Sequence, residues 1–191
     1  MPGKGFVDMS ITLAHIRQVR AEADCLFTAS QTEEALDKLA KEITIKHSEN
    51  NPLVICVMNG GLIVAGCLLS RLDFPLEQDY LHATRYRGDT KGGELNWIVG
   101  PQHPLKDRHV LIIDDILDEG YTLAAIADYC QKDGASSVET VVLVEKLHNR
   151  KQGIQADYIG LQAEDRYLFG YGMDYKGFLR NAPGIFAVKG M

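Results

Sequence analysis

The sequence has few cysteines, little pattern among them and no long apolar run. Its 191 residues include four cysteines without Cys-x-x-Cys spacing. Two of them, Cys56 and Cys67, lie within apolar stretches, where a thiol behaves as a small hydrophobic side chain. Neither a disulfide framework nor a zinc site is therefore indicated. The longest apolar stretches, residues 52–58 and 62–69, are too short to cross a bilayer.

An excess of positive charge is also missing. The formal net charge is −6, whereas a protein that binds nucleic acid or an anionic membrane in bulk needs a basic surface. Residues 1–10 contain Lys4 and Asp8 and lack the apolar stretch of a signal peptide. With 46% hydrophobic and 24% charged residues, the composition is that of a globular domain. We therefore expect a cytoplasmic protein with a single domain over residues 1–191 that binds neither nucleic acid nor membranes.

Apolar runs of strand length alternate with helical patterns along the chain. Helical spacing begins at Leu13, and residues 30–33 resemble a capping box before a second helix. A buried helix is predicted over residues 62–72, and an amphipathic helix follows Gly120. The predicted strands cover residues 52–58, 76–86, 95–99, 110–113, 138–144, 157–161 and 167–170. This alternation indicates an α/β fold in which a mostly parallel sheet is flanked by helices.

Residues 110–122 combine a buried strand, several carboxylates and the start of a helix. Asp114 and Asp115 follow the strand at the carboxyl edge, where open parallel sheets bind ligands. Gly120 lets the backbone approach a ligand closely, and the helix N-terminus and the Thr122 hydroxyl can donate hydrogen bonds to a phosphate monoester. The two acids suit sugar hydroxyls or a hard cation. A ribose 5-phosphate with Mg²⁺ meets these conditions, and an ordinary strand–helix turn is the alternative.

The same segment resembles the 5-phosphoribosyl 1-diphosphate signature of type I phosphoribosyltransferases, in which four apolar positions, two acids and two apolar positions precede Asp-x-Gly-x-Thr. From about residue 52 to residue 188 the chain is similar to the hypoxanthine-guanine phosphoribosyltransferases of that class. The resemblance implies the type I phosphoribosyltransferase fold with a small C-terminal hood. It also implies an enzyme of purine salvage. With Mg²⁺, such an enzyme transfers the 5-phosphoribosyl group of 5-phosphoribosyl 1-diphosphate to N9 of hypoxanthine or guanine, giving IMP or GMP and diphosphate.

The resemblance assigns roles to the acids of the signature. Asp114 and Asp115 match the pair that holds the ribose hydroxyls directly or through metal-bound water, and Asp174 matches a further Mg²⁺ ligand. Asp118 matches the general base near purine N7. The loop that binds the 5-phosphate then comprises Asp118, Glu119, Gly120, Tyr121 and Thr122. Many relatives have Thr in place of Glu119, whose carboxylate cannot donate to phosphate, so only its backbone is expected to contribute.

Other segments match the remaining parts of the family site. Asn59-Gly60-Gly61 matches the diphosphate loop, whose first peptide bond is often cis in the family, although many relatives carry Lys or Arg where this chain has Asn59. Arg180 matches a second diphosphate contact. The implied purine pocket consists of Lys146, which donates to the 6-oxo group, Tyr167, which stacks on the base, and Leu168, which contributes backbone contacts. The implied lid contains Arg85 and Tyr86 and continues through residues 87–94.

Two other functions stay open from the sequence. One is a phosphoribosyltransferase that prefers xanthine. It stays open because backbone carbonyls read the purine 2-position, and the sequence does not show where they lie. The other is a regulator that senses a phosphoribosyl ligand while binding RNA, although the net charge of −6 argues against it. The resemblance further implies a homodimer or homotetramer. Four histidines are expected to be structural or solvated rather than ligands: His82, His103, His109 and His148.

Overall fold

The structure, a computed structural model, describes residues 11–85, 95–151 and 154–191. Its helices are α1 (Leu13–Glu22), α2 (Ala29–His47), α3 (Gly61–Leu69) and α4 (Tyr121–Lys132). Its strands are β1 (Asp24–Thr28), β2 (Leu53–Val57), β3 (Glu77–Arg85), β4 (Leu95–Val99), β5 (His109–Leu117), β6 (Ser137–Leu147), β7 (Tyr158–Glu164), β8 (Leu168–Phe169) and β9 (Gly184–Ala187). Within these ranges, no helix is both long and apolar enough to span a membrane.

The central sheet has six strands in the order β4-β3-β2-β5-β6-β7. Every neighbouring pair is parallel except β3 and β4, which are antiparallel. All five residues of β2 are buried, as expected for a strand in the middle of a sheet that is covered on both faces. The predicted α/β architecture with a mostly parallel sheet is therefore confirmed.

Helices cover both faces of this sheet. On one face α2 and α3 contribute Leu36, Leu39 and Leu68, none of which is exposed to solvent. On the other face α4 contributes Ile126 and Cys130, which are equally buried. Burying an aliphatic side chain of this size stabilises the fold by about 1.5–3 kcal/mol relative to exposure. The sheet is therefore packed between two apolar layers, and its carboxyl edge lies at their border.

A second sheet of three strands, in the order β1-β9-β8, forms a smaller unit beside the first. Its strands are antiparallel, and Asp24 of β1 pairs with Ala187 of β9. Ile16 of α1 packs with Phe169 and Phe186 beneath this sheet. We call α1, β1, β8 and β9 the hood. The expected C-terminal hood is thus present, but two of its strands, the N-terminal β1 and the C-terminal β9, were not predicted from the sequence.

Several predicted boundaries were wrong. The capping box of α2 lies at Thr28, whose hydroxyl accepts from the backbone N–H of Gln31 while the Gln31 side chain accepts from the Thr28 N–H. The sequence placed it at residues 30–33, because it gave no sign that β1 ends at Thr28. Strand β5 was predicted to end at residue 113, yet it continues to Leu117 because it keeps pairing with β6 beyond the end of β2.

Candidate active site

A cleft of about 610 Å³ opens at the carboxyl edge of the central sheet. It brings together fourteen of the predicted site residues: Asn59, Gly60, Asp114, Asp115, Asp118, Glu119, Gly120, Tyr121, Thr122, Lys146, Tyr167, Leu168, Asp174 and Arg180. His82 and Thr84 of β3, to which no role was assigned, also line it. Of the predicted lid, Arg85 ends β3, whereas Tyr86 and residues 87–94 lie outside the described residues.

The predicted phosphate loop ends at a helix N-terminus. Gly120 is the N-cap of α4 and has a φ of +86°, in the left-handed region that glycine adopts without strain. A Cβ at this position would lie 2.6 Å from the Ile154 side chain, so space as well as backbone geometry requires glycine. No side chain of the described residues caps this helix. Backbone N–H groups at such an end can bind an anion.

Asp114 and Asp115 lie on the part of β5 that extends past β2. Asp115 is buried, and its backbone N–H donates to Asp114 Oδ1 at 2.9 Å. Burial and the neighbouring charge of Asp115 raise the pKa of Asp114, and burial raises that of Asp115. The guanidinium of Arg180 reaches only to 3.9 Å from Asp115 Oδ2. The pair therefore forms a negative site whose charge is poorly compensated within the protein.

This donor set fits a hard divalent cation, because carboxylate oxygens are its preferred protein ligands. Asp174, the third predicted ligand, is already paired with Arg180 (Oδ1 to Nη2, 2.5 Å) and accepts from the Gly177 N–H at 2.7 Å. Asp114 and Asp115 could therefore hold a cation as they stand, whereas Asp174 would have to exchange its guanidinium partner for it.

The predicted diphosphate loop sits against the acid pair. The resemblance implied a cis bond between Asn59 and Gly60, but the cis peptide bond of this segment joins Met58 to Asn59, one residue earlier. A Cβ on Gly60 would lie 2.4 Å from Asp115 Oδ2, and a Cβ on Gly172 would lie 2.0 Å from the Gly60 carbonyl oxygen. Helix α3 begins at the next residue, with Gly60 as its N-cap. Two glycines thus allow three backbone segments to meet where the predicted loop enters a second helix N-terminus.

Asp118 is held by two donors from the end of β6. Lys146 Nζ donates to Asp118 Oδ2 at 2.8 Å, and His148 Nε2 lies 2.7 Å from Oδ1. Burial by itself raises the pKa of Asp118, but the hydrogen bonds from Lys146 and His148 outweigh it and the pKa is lowered. The predicted general base and the predicted purine donor are therefore direct partners in this structure.

His148 is the residue that sequence reasoning missed. It was expected to be structural or solvated, yet its side chain is 5% exposed and is hydrogen-bonded to the predicted base. The signal was its spacing from Lys146, because residues two apart on an extended segment project to the same side.

Further charges surround these three side chains. Lys146 Nζ lies 3.9 Å from Asp165 Oδ1, and Arg150 makes a paired contact with the Asp165 carboxylate at 2.6 and 3.1 Å. Arg150 Nε also lies 3.8 Å from Glu119 Oε1. Asp118, His148 and Asp165 have ligand atoms within 4.8 Å of one another, but the Lys146 ammonium already occupies the position of a cation among them.

Tyr167 and Leu168 close the hood side of the cleft. Tyr167 is 40% exposed, so it is not a core residue. Its ring meets the edge of Tyr175 with a centroid distance of 5.4 Å. Leu168 is buried and begins β8, so the hood fixes its backbone. An aromatic face beside ordered backbone groups is the arrangement that a flat heterocycle requires.

Comparison with known proteins agrees with this geometry. Residues 23–176 match the phosphoribosyl transferase domain family. The chain is 32% identical to the hypoxanthine-guanine phosphoribosyltransferase of Bacillus subtilis over 86% of this chain and 92% of the relative. It is also 32% identical to the hypoxanthine-guanine-xanthine phosphoribosyltransferase of Tritrichomonas foetus over 86% of this chain and 90% of the relative.

The chain is also similar to a solved structure and to a longer protein. The hypoxanthine phosphoribosyltransferase of Staphylococcus aureus superimposes with a TM-score of 0.82 at 30% identity, over 87% of this chain and 91% of the other. The chain spans only 26% of the length of the bifunctional protein TilS/HprT of Listeria innocua, to which it is 34% identical. The type I fold implied by the sequence is thereby confirmed. The chain belongs to the phosphoribosyltransferase family of enzymes and is similar over most of its length to the hypoxanthine-guanine members.

Proposed function

We propose that the chain transfers the 5-phosphoribosyl group of 5-phosphoribosyl 1-diphosphate to N9 of hypoxanthine or guanine with the help of Mg²⁺. The observation that carries this proposal is the placement of the acids Asp114 and Asp115, a helix N-terminus and the Asp118–Lys146 pair around one cleft. The names of the relatives from B. subtilis and T. foetus support the same purines.

The sugar phosphate fits the edge formed by β5 and α4. The 5-phosphate binds the backbone N–H groups at the start of α4, with the Thr122 hydroxyl as a further donor. Asp114 and Asp115 accept hydrogen bonds from the 2- and 3-hydroxyls of the ribose, directly or through metal-bound water. Both ends of the ribose are then fixed, and its C1 is presented to the interior of the cleft.

The leaving diphosphate belongs beside Asn59, Gly60 and Arg180. Asn59 carries no charge, whereas Arg180 lines the same cleft and donates to the carbonyl of Gly172 beside Gly60. When bound, Mg²⁺ would neutralise diphosphate charge, and Asp114, Asp115 and Asp174 are the residues that would hold it. Arg180 and Asp174 are in contact at 2.5 Å. A metal ion would replace Arg180 at Asp174, and diphosphate would replace Asp174 at Arg180, so the guanidinium would then bind the phosphate oxygens.

The purine lies between Tyr167 and the Asp118–Lys146 pair. The N9 lone pair forms the bond to C1 while the C1–O bond breaks, and diphosphate leaves with that electron pair. Asp118 takes the proton from N7 as the ring gains positive character. Lys146 has three N–H donors, so it can keep Asp118 and still donate to the 6-oxo group. Adenine offers an amino group there, and Lys146 discriminates against it.

The test is a panel of bases with the purified protein, Mg²⁺ and 5-phosphoribosyl 1-diphosphate, with nucleotide separated chromatographically. We expect IMP and GMP, little AMP, and loss of product with a chelator that excess Mg²⁺ reverses. The ratio of kcat/KM values for hypoxanthine, guanine and xanthine assigns the preferred base. A clear preference for xanthine would replace hypoxanthine and guanine in the proposal. Binding of 5-phosphoribosyl 1-diphosphate without product from any base would favour the sensing regulator.

We also propose the remaining roles on the family resemblance. Arg85 and Tyr86 belong to a lid over the cleft, and the chain assembles as a homodimer or homotetramer in the cytoplasm. Light scattering of the purified protein measures the mass of the assembly, and a monomeric mass would contradict the second of these proposals.

A further inference from the structure

We infer that His148 is a positioning residue for Asp118, which it orients as a neutral imidazole donating from Nε2. This inference rests on the proposed function, because it assigns to Asp118 the acceptance of the purine proton. His148 itself does not face the reacting atoms. It acts through the carboxylate that does.

The tautomer follows from the two contacts of the ring. The backbone N–H of Arg150 donates to His148 Nδ1 at 3.1 Å. That nitrogen must therefore offer a lone pair and cannot carry a proton. The proton of a neutral ring is then on Nε2, which lies 2.7 Å from Asp118 Oδ1 and donates to it. A second ring proton would require giving up the Arg150 contact.

Two donors then fix the plane of the Asp118 carboxylate. His148 occupies Oδ1, and Lys146 occupies Oδ2 at 2.8 Å. The lysine side chain is long and has several rotatable bonds. The imidazole is a rigid ring that is 5% exposed and accepts a hydrogen bond from the Arg150 backbone N–H. The carboxylate is 43% exposed and lines the cleft, and it keeps lone pairs beyond these two contacts for the substrate proton. Holding a base in a productive orientation can be worth about 100-fold in rate when the displacement avoided is about 1 Å.

The charge of the ring matters as much as its direction. Asp118 already faces the Lys146 ammonium, with the Arg150 guanidinium nearby and the carboxylates of Asp165 and Glu119 beyond them. A cationic His148 would add a full positive charge and would make the carboxylate a poorer proton acceptor. A neutral donor orients Asp118 without that cost.

The experiment compares His148→Ala and His148→Gln with wild type and with His109→Ala. His109 begins β5, away from the carboxyl edge, and is hydrogen-bonded to Ser137 at the start of β6, so it controls for loss of a strand histidine. The readout is the single-turnover rate of nucleotide formation, together with the Kd of 5-phosphoribosyl 1-diphosphate and the pH profile. The side-chain amide of Gln can donate an N–H to Asp118, and Ala cannot.

We expect His148→Ala to lower the single-turnover rate about 10- to 100-fold with an unchanged Kd for 5-phosphoribosyl 1-diphosphate. The acidic limb of its pH profile should move to higher pH, because a donor that favours the carboxylate has been removed. Gln should restore the rate to within about threefold of wild type, as expected for a retained hydrogen bond, and His109→Ala should match wild type.

Each other result decides the matter. A wild-type rate in His148→Ala, or a folded Gln variant as slow as Ala, would overturn the positioning role. If the Ala variant does not fold, the folded Gln variant decides alone by its rate. Wild-type protein that makes no nucleotide would overturn the proposed function and this role with it, whereas active wild type with an indifferent His148 would overturn only this role. Nitrogen chemical shifts offer an activity-independent check, since a doubly protonated His148 at neutral pH would contradict the neutral ring.

Discussion

Gly172 offers the sharpest test of how tightly the segment between β8 and β9 packs against the predicted diphosphate loop. It has a φ of +106°, and a Cβ there would lie 2.0 Å from the Gly60 carbonyl oxygen. Gly177 has a φ of +86°, but nothing lies within 4 Å of its Cβ position. Both glycines therefore have a positive φ but differ in the space around the Cβ position, so their alanine variants form a matched pair.

The expected magnitudes follow from that difference. Gly177→Ala should cost about 1–2 kcal/mol of unfolding free energy, the usual penalty for a left-handed L-residue. Gly172→Ala should cost about 1–3 kcal/mol more, because backbone atoms must shift to relieve the overlap. At this chain length 1 kcal/mol corresponds to about 2–4 °C in Tm, so the Gly172 variant should melt about 5 °C below the Gly177 variant.

Thermal melts followed by circular dichroism measure this difference in stability. Steady-state kinetics test whether the overlap at Gly172 displaces the backbone of Gly60. Because the displaced atom belongs to Gly60, the KM for 5-phosphoribosyl 1-diphosphate should rise in Gly172→Ala and stay near wild type in Gly177→Ala. Equal Tm values for the two variants, together with equal KM values, would refute the argument that Gly172 is required by close packing.

Three further predictions concern the cleft and the sheet cover. Asp118→Asn should lower kcat far more than it raises either KM, since an amide keeps the shape but cannot take the N7 proton; equal changes in kcat and KM would mean that the carboxylate only positions ligand. Lys146→Ala should raise the KM for hypoxanthine and allow adenine to react. The acidic limb of its rate profile should move to higher pH, because a donor that lowers the pKa of Asp118 is lost while burial still raises that pKa. Unchanged selectivity between hypoxanthine and adenine would mean that another residue recognises the 6-oxo group. Gly66→Ala, at an exposed site inside α3 with open space around its Cβ, should raise the unfolding free energy by about 0.5–1 kcal/mol in denaturant titrations, and a lower midpoint would contradict this.

The sequence predicted those parts of the fold that are encoded locally. The change from an apolar strand to the helical pattern after Gly120 lies within residues 110–122, and the structure reproduces it in β5 and α4. Strand β1 is different, because its five residues are exposed or half-buried and its partner β9 lies near the other end of the chain. Nothing near β1 in sequence signals that pairing, and the misplaced capping box of α2 followed from the same gap.

For the site, the sequence predicted which residues are involved, but it did not predict which side chains contact one another. Asp118 and Lys146 were each singled out, but their direct contact depends on how far β5 and β6 extend side by side, which apolar patterning does not reveal. The pairing of Asp174 with Arg180 likewise arises from a turn, and His148 was passed over because no motif contains it.

The pairing of β1 with β9 has a consequence for the order in which the parts of the cleft are completed during synthesis. A ribosome releases the acids of β5 and the start of α4, the proposed sugar-phosphate side of the cleft, well before residues 184–187. The wall carrying Tyr167 waits until β9 is available to join β1 to β8. The edge formed by β5 and α4 is therefore complete before the wall that carries Tyr167, and a chain that ended before residue 184 would lack β9, the strand that joins β1 to β8.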